Sequence, residues 1–116
     1  MEQCMKSDGT PILYEVRRAK THWQKFKGLM FKKSLGEHQA LLLENCRSIH
    51  SSFMRMSIDV IFMDPQGTIV YLMENMRPWR ISKIVREGQS VLECHSGTIR
   101  KHGLKLHDTL KLMKRG

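Results

Sequence analysis

The segment that most constrains this chain lies between Met56 and Met73. Two apolar, β-branched runs, Met56–Met63 and Thr68–Met73, are joined by Asp64-Pro65-Gln66-Gly67. Pro65 presets φ near about −65° at the second turn position, and Gly67 tolerates the positive φ that closes the loop. The pattern reads as a β-hairpin. Two unusual clusters flank it, Phe53-Met54-Arg55 before and Arg77-Pro78-Trp79-Arg80 after.

Other short strands are expected around this hairpin. Ile12–Val16, Ala40–Glu44, Ile49–Phe53, Ile81–Val85 and Ser90–Cys94 have the length and composition of strands, and Leu104–Leu112 closes the chain with alternating leucines. One main helix is expected after Thr21, where Thr21-His22-Trp23-Gln24 matches a capping box. Trp23, Phe26 and Met30 then fall on one helical face, expected to pack on the sheet. Gly28 sits in that helix at a cost of about 1 kcal/mol relative to Ala. A closely approaching strand or a helix end there explains it. A second, brief helix, Ile99–His102, is expected after Ser96-Gly97-Thr98, with Gly103 as its left-handed stop. Residues 1–11 are polar and expected to be flexible, leaving 12–116 as a single globular domain.

A chain of 116 residues with 41% hydrophobic and 27% charged residues can bury one core without disulfides or metal. No apolar run approaches the roughly 20 residues that span a bilayer, so membrane insertion is not expected. The N-terminus has no apolar signal region, and the cytoplasm is the expected compartment. Cys4, Cys46 and Cys94 are odd in number and widely spaced, which argues for reduced thiols. Cys46 and Cys94 are expected in or near the core, while the sequence leaves open whether Cys4, near a loose terminus, is exposed.

A net charge of +9 will attract phosphates, acidic proteins or anionic surfaces. The basic residues are spread in short groups such as Arg17-Arg18-Lys20, Lys32-Lys33 and Lys114-Arg115, with no block that would make a basic tail.

Several segments together resemble the domain-of-unknown-function 192 family. They are Ala19-Lys20-Thr21, Lys27-Gly28-Leu29-Met30, Phe53-Met54-Arg55, Ile58–Asp64, Gly67, Glu74-Asn75, Pro78-Trp79-Arg80, Val91-Leu92-Glu93, Gly97-Thr98 and Gly103-Leu104-Lys105. The resemblance covers about residues 12–112. It implies a small β-rich domain found mostly in bacteria and archaea, with no established biochemical activity. Two positions depart from the family pattern. His107 stands where a glycine would relax the C-terminal turn, and Ser57 where many members have proline. Asp108 is similar to the turn aspartate of cradle-loop barrels, which caps backbone amides.

Cys46, His50, Cys94 and His95 have zinc-ligand chemistry but poor spacing, since neighbours in a strand face opposite sides. The methionines around the hairpin are copper ligands in principle and core fillers in general. Cys46 or Cys94 with His50 and Asp59, or a nucleophile at Ser48, Ser51 or Ser52, has no nucleophile elbow beside it. No phosphate-binding glycine loop is present. Trp79 between Arg77 and Arg80, with Pro78 stiffening the backbone, has the makings of a stacking platform with guanidinium clamps, or of a core plug flanked by solvated arginines. Asp59, mid-strand among apolar residues, is expected to face solvent or to pair with Arg55, Arg77 or Arg80.

The sequence therefore points to a β-rich α+β fold, a small, partly open barrel or rolled antiparallel sheet with one main and one short helix. The expected function is a non-catalytic binding module with neither cofactor nor metal. Its ligand-binding residues are Phe53, Met54, Arg55, Asp59, Asn75, Arg77, Trp79 and Arg80. An anionic ligand, a nucleic acid or a protein is the expected partner. A nucleic-acid-binding protein and a hydrolase with a Cys or Ser nucleophile are the alternatives.

Overall fold

The computed structural model describes residues 2–30 and 32–114, so Arg115 of the last basic pair lies outside the described residues. Seven strands form one sheet in the order β5-β4-β6-β3-β2-β1-β7. They are β1 (Glu2–Lys6), β2 (Pro11–Ala19), β3 (Gln39–Glu44), β4 (Ile58–Met63), β5 (Ile69–Met76), β6 (Ser90–His95) and β7 (Leu110–Lys114). Among the described residues only β2 and β3 run parallel; the other strand pairings are antiparallel. Two short helices complete it, α1 (His22–Lys27) and α2 (Thr98–Lys101).

The predicted hairpin is β4–β5. Asp64 Oδ1 accepts from the amides of Gln66 and Thr68, both at 2.9 Å, and Gly67 takes φ +83°. The same turn rolls the sheet. Leu110 N donates to Gly67 O at 2.9 Å and Ile69 N to Asp108 O at 2.8 Å, so the turn at the start of edge strand β5 meets the segment entering edge strand β7. A Cβ on Gly67 would lie 2.5 Å from the Leu110 carbonyl oxygen, which leaves room there only for glycine. The result is the expected β-rich, partly open barrel.

β4 is buried on both faces, and its alternation divides the core. Ile61 and Met63 face one cluster with Leu13, Leu42, Leu92 and Cys94. Ile58, Val60 and Phe62 face a second with Leu29, Leu43, Ile49, Met54 and Val91. The second cluster is roofed by loops rather than by another sheet.

Several local expectations change. The N-terminal segment expected to be flexible supplies β1, which pairs with both β2 and β7, and Cys4 is fully buried. Termini fray unless a sheet ties them down, and here one does. Helix α1 has the expected capping box, with Gln24 N donating to Thr21 Oγ1 at 3.0 Å and Thr21 N to Gln24 Oε1 at 3.2 Å. It ends at Gly28, φ +44°, before reaching Met30, and none of its residues is buried. Trp23 and Phe26 are 70% and 54% exposed and stack on each other instead of on the sheet. Residues 49–53 and 81–85 are not strands. They are paired loops joined by one bridge, His50 to Ile81.

Candidate functional site

The two clusters that flank the hairpin in sequence meet through Ser51. This residue is fully buried between the loops. Its hydroxyl donates to the Arg77 carbonyl at 2.6 Å and accepts from Arg80 N at 2.9 Å. Its amide donates to Arg80 O at 2.9 Å, and its carbonyl accepts from Trp79 N at 3.0 Å and Met54 N at 3.2 Å. One serine thus fixes the backbone of 77–80 against that of 51–54. The Ser51 hydroxyl, a nucleophile candidate by residue type, is spent on the backbone.

The consequence is an exposed aromatic pair. Phe53 and Trp79 lie edge to face with ring centroids 4.6 Å apart. They are 44% and 60% exposed, so Trp79 is no core plug. Both occupy the left-handed region, at φ +64° and +63°. For L-residues with a Cβ that conformation costs on the order of 1 kcal/mol each, and such strain concentrates at functional positions. Arg55, Arg77 and Arg80 are exposed and join no ion pair among the described residues. Arg80 Nη1 donates to the Trp79 carbonyl, at 3.4 Å.

Three of the residues named from sequence lie elsewhere. Met54 is buried in the second core cluster. Asp59 is fully buried and meets no arginine. Its Oδ1 accepts from Asn75 N at 2.8 Å, and its Oδ2 from Gly97 N at 3.1 Å and Ile99 N at 2.9 Å. The expectation of solvent or an arginine gives way to three backbone amides, which supply the hydrogen bonds that a buried carboxyl group requires. Asp59 thereby caps α2, whose N-cap Gly97 has no side chain to do so. Asn75 supplies one of those amides from φ +55°.

The thiols divide similarly. Cys94 is buried in the barrel cluster, and burial pushes its thiol far above the ordinary range. Cys46 and His50 line a common cavity, while Asp59 lines a different surface depression, so the suggested Cys-His-Asp arrangement does not assemble. Burial also raises the Cys46 thiol, whose Sγ donates to the Ser48 carbonyl at 3.0 Å. Both facts disfavour a thiolate nucleophile.

The family model DUF192, described as "Uncharacterized ACR", matches residues 3–112. The chain belongs to the DUF192 family. A UPF0127 protein of Pyrococcus furiosus is 33% identical over 106 residues, covering 89% of this chain and 90% of the relative. One from Pyrococcus horikoshii is 41% identical over 70 residues, covering 58% and 60%. The fold recurs in a Sinorhizobium meliloti protein described as a proposed transcription regulator, with TM-score 0.81, 24% identity and coverage of 95% and 90%. It recurs too in a protein of unknown function from Novosphingobium aromaticivorans, with TM-score 0.81, 19% identity and coverage of 95% and 82%. At these identities both show the fold alone. No DUF192 activity is established by any of these likenesses, and no helix among the described residues is long and apolar enough to cross a membrane.

The family's C-terminal turn survives its departure from glycine. His107 takes φ +77°, and Asp108 Oδ2 accepts from Lys105 N at 3.0 Å. The DUF192 chain thus keeps the glycine-type backbone with a histidine in place.

Proposed function

We propose that this protein is a non-catalytic binding module that takes single-stranded nucleic acid on the Phe53–Trp79 surface. The observation that carries the reading is the aromatic pair itself: two exposed rings in contact on left-handed backbone, flanked in sequence by three arginines that join no ion pair among the described residues. A ring held out of the core offers its face to a base, and every base has a face to stack. Guanidinium groups supply planar, paired donors for phosphate. The net charge of +9 adds long-range attraction for a polyanion.

Fluorescence anisotropy of a labelled single-stranded oligonucleotide tests it. With three arginines on phosphates, log K falls linearly with log salt at a slope of about −2. Trp79→Ala removes a stacking face and weakens binding by about 1–3 kcal/mol, roughly fivefold to a hundredfold. The double variant Arg77→Ser, Arg80→Ser flattens the salt slope. Equal affinity for the parent and Trp79→Ala, or no binding at low salt, overturns the proposal.

A further inference from the structure

A second concavity lies apart from the aromatic pair and is independent of the function proposed for it. Strand alternation turns Glu93 away from the barrel cluster of Leu92 and Cys94, toward the face carrying Leu43 and Val91. That face opens into a cavity of about 180 Å³ under the turn that ends α1. The volume is well above the roughly 10–15 Å³ that admits one water. Leu29, Leu43, Ile49 and Met54 make its walls apolar, with Cys46 and His50 also on the lining.

Glu93 is 1% exposed, and its Oε1 has no hydrogen-bond partner among the described residues. A native structure rarely leaves such an atom alone, because an unpaired buried polar group costs stability. Above it stands Gly28. A Cβ there would lie 3.7 Å from Glu93 Oε1, so the glycine keeps the space over the carboxyl open. Two cations stand on the rim. Lys25 turns its Nζ to the Asn45 carbonyl at 3.2 Å, and Lys27 is exposed, so neither reaches Glu93 as its counter-ion.

We infer that this cavity is a binding site for a small primary amine, its ammonium head on the Glu93 carboxylate and its short alkyl body against Leu29, Leu43, Ile49 and Met54. An ammonium supplies the donors that Oε1 lacks and the charge that a carboxylate in an apolar wall needs. The apolar walls take the alkyl chain out of water. Burial raises Glu93 to about 8, so the carboxyl is largely neutral at neutral pH and binding a cation releases its proton. Cys46, His50, Lys25 and Lys27 are the other titratable groups lining the cavity.

The test is an amide NMR titration of the isotope-labelled protein with n-butylamine, and with butyrate as the shape-matched anion. Butylamine shifts the amides of 25–30, 43–50 and 93, and butyrate leaves them in place. Glu93→Gln keeps the shape without the charge and weakens butylamine at least tenfold. Should that variant fail to fold, the parent protein decides alone. Its butylamine affinity rises with pH, approaching tenfold per unit, from about pH 6 to about pH 8 and then levels, while the amine remains protonated. Equal response to butyrate and butylamine, no shift at these amides, or affinity independent of pH in that window overturns the inference.

Discussion

Two buried carboxylates on neighbouring strands meet opposite fates. Asp59 on β4 and Glu93 on β6 are both essentially inaccessible. Asp59 is met by three backbone amides, two from the start of α2 and one from Asn75 of β5. Glu93 faces an apolar cavity, and desolvation raises its carboxyl from 4.5 to about 8. Below about 4.5 both the folded and the unfolded chain hold that proton. Between the two values the unfolded chain loses it and the folded chain keeps it, so Glu93's contribution to stability falls as pH rises and levels off above about 8. Replacing it with the neutral isostere removes the penalty. Glu93→Gln is therefore expected to match the parent near pH 4 and to exceed it by a few kcal/mol, to order of magnitude, near pH 8. Urea midpoints across that range for the two proteins check it. A constant difference between them would show that Glu93 ionises in the fold as easily as outside it. Sequence alone named both residues, Asp59 as an oddity and Glu93 as part of a family motif, but not their partners. Asp59's donors lie at positions 75, 97 and 99, and no local pattern records that meeting.

At the scale of elements, what was legible was local. The Asp64–Thr68 turn and the Thr21 capping box are written within five residues each, and both formed as read. The segments 49–53 and 81–85 have apolar residues of strand type yet pair through a single bridge, because Ser51 ties its loop to the backbone of residues 77–80 instead. Helix α1 is too short to need a buried face. Trp23 and Phe26, which share a helical stripe, stack on each other, and Phe26 tilts against His50 at 5.5 Å. The hairpin turn carries a sharper consequence. Gly67 and Gly9 both have positive φ, +83° and +90°, but only Gly67 faces a backbone atom, with nothing within 4 Å of a Cβ on Gly9. Each Gly→Ala variant bears the backbone cost of about 1–2 kcal/mol. Gly67→Ala must in addition push the Leu110 carbonyl away and loosen the contact between the two edge strands. It is expected to destabilise by clearly more than Gly9→Ala in chemical denaturation. Equal losses would mean that the Gly67 turn yields without disturbing the β7 side.

At the scale of the whole molecule, the sheet depends on a strand that the sequence presents as a polar terminus. β1 lies between β2 and β7 and pairs with β7 over five consecutive positions, Glu2–Lys114 through Lys6–Leu110. β7 has no other strand partner in the sheet order, and the segment entering it meets the hairpin turn that closes the roll. Composition hides this because the inward signal is a single residue, Cys4, between Gln3 and Met5, which are half-buried. An isolated edge strand has unpaired backbone donors and no reason to stay docked. Deleting residues 1–6 therefore removes more than one strand. It strands β7, exposes Ile12, Leu13 and Leu110 of the barrel cluster, and releases Gly67 from its partner. The truncated chain is expected to lose its cooperative unfolding transition, read by circular dichroism against denaturant, and to collapse its amide NMR dispersion. A truncated protein that unfolds at the parent's midpoint would mean that β7 docks directly on β2 and that the roll closes without its first strand.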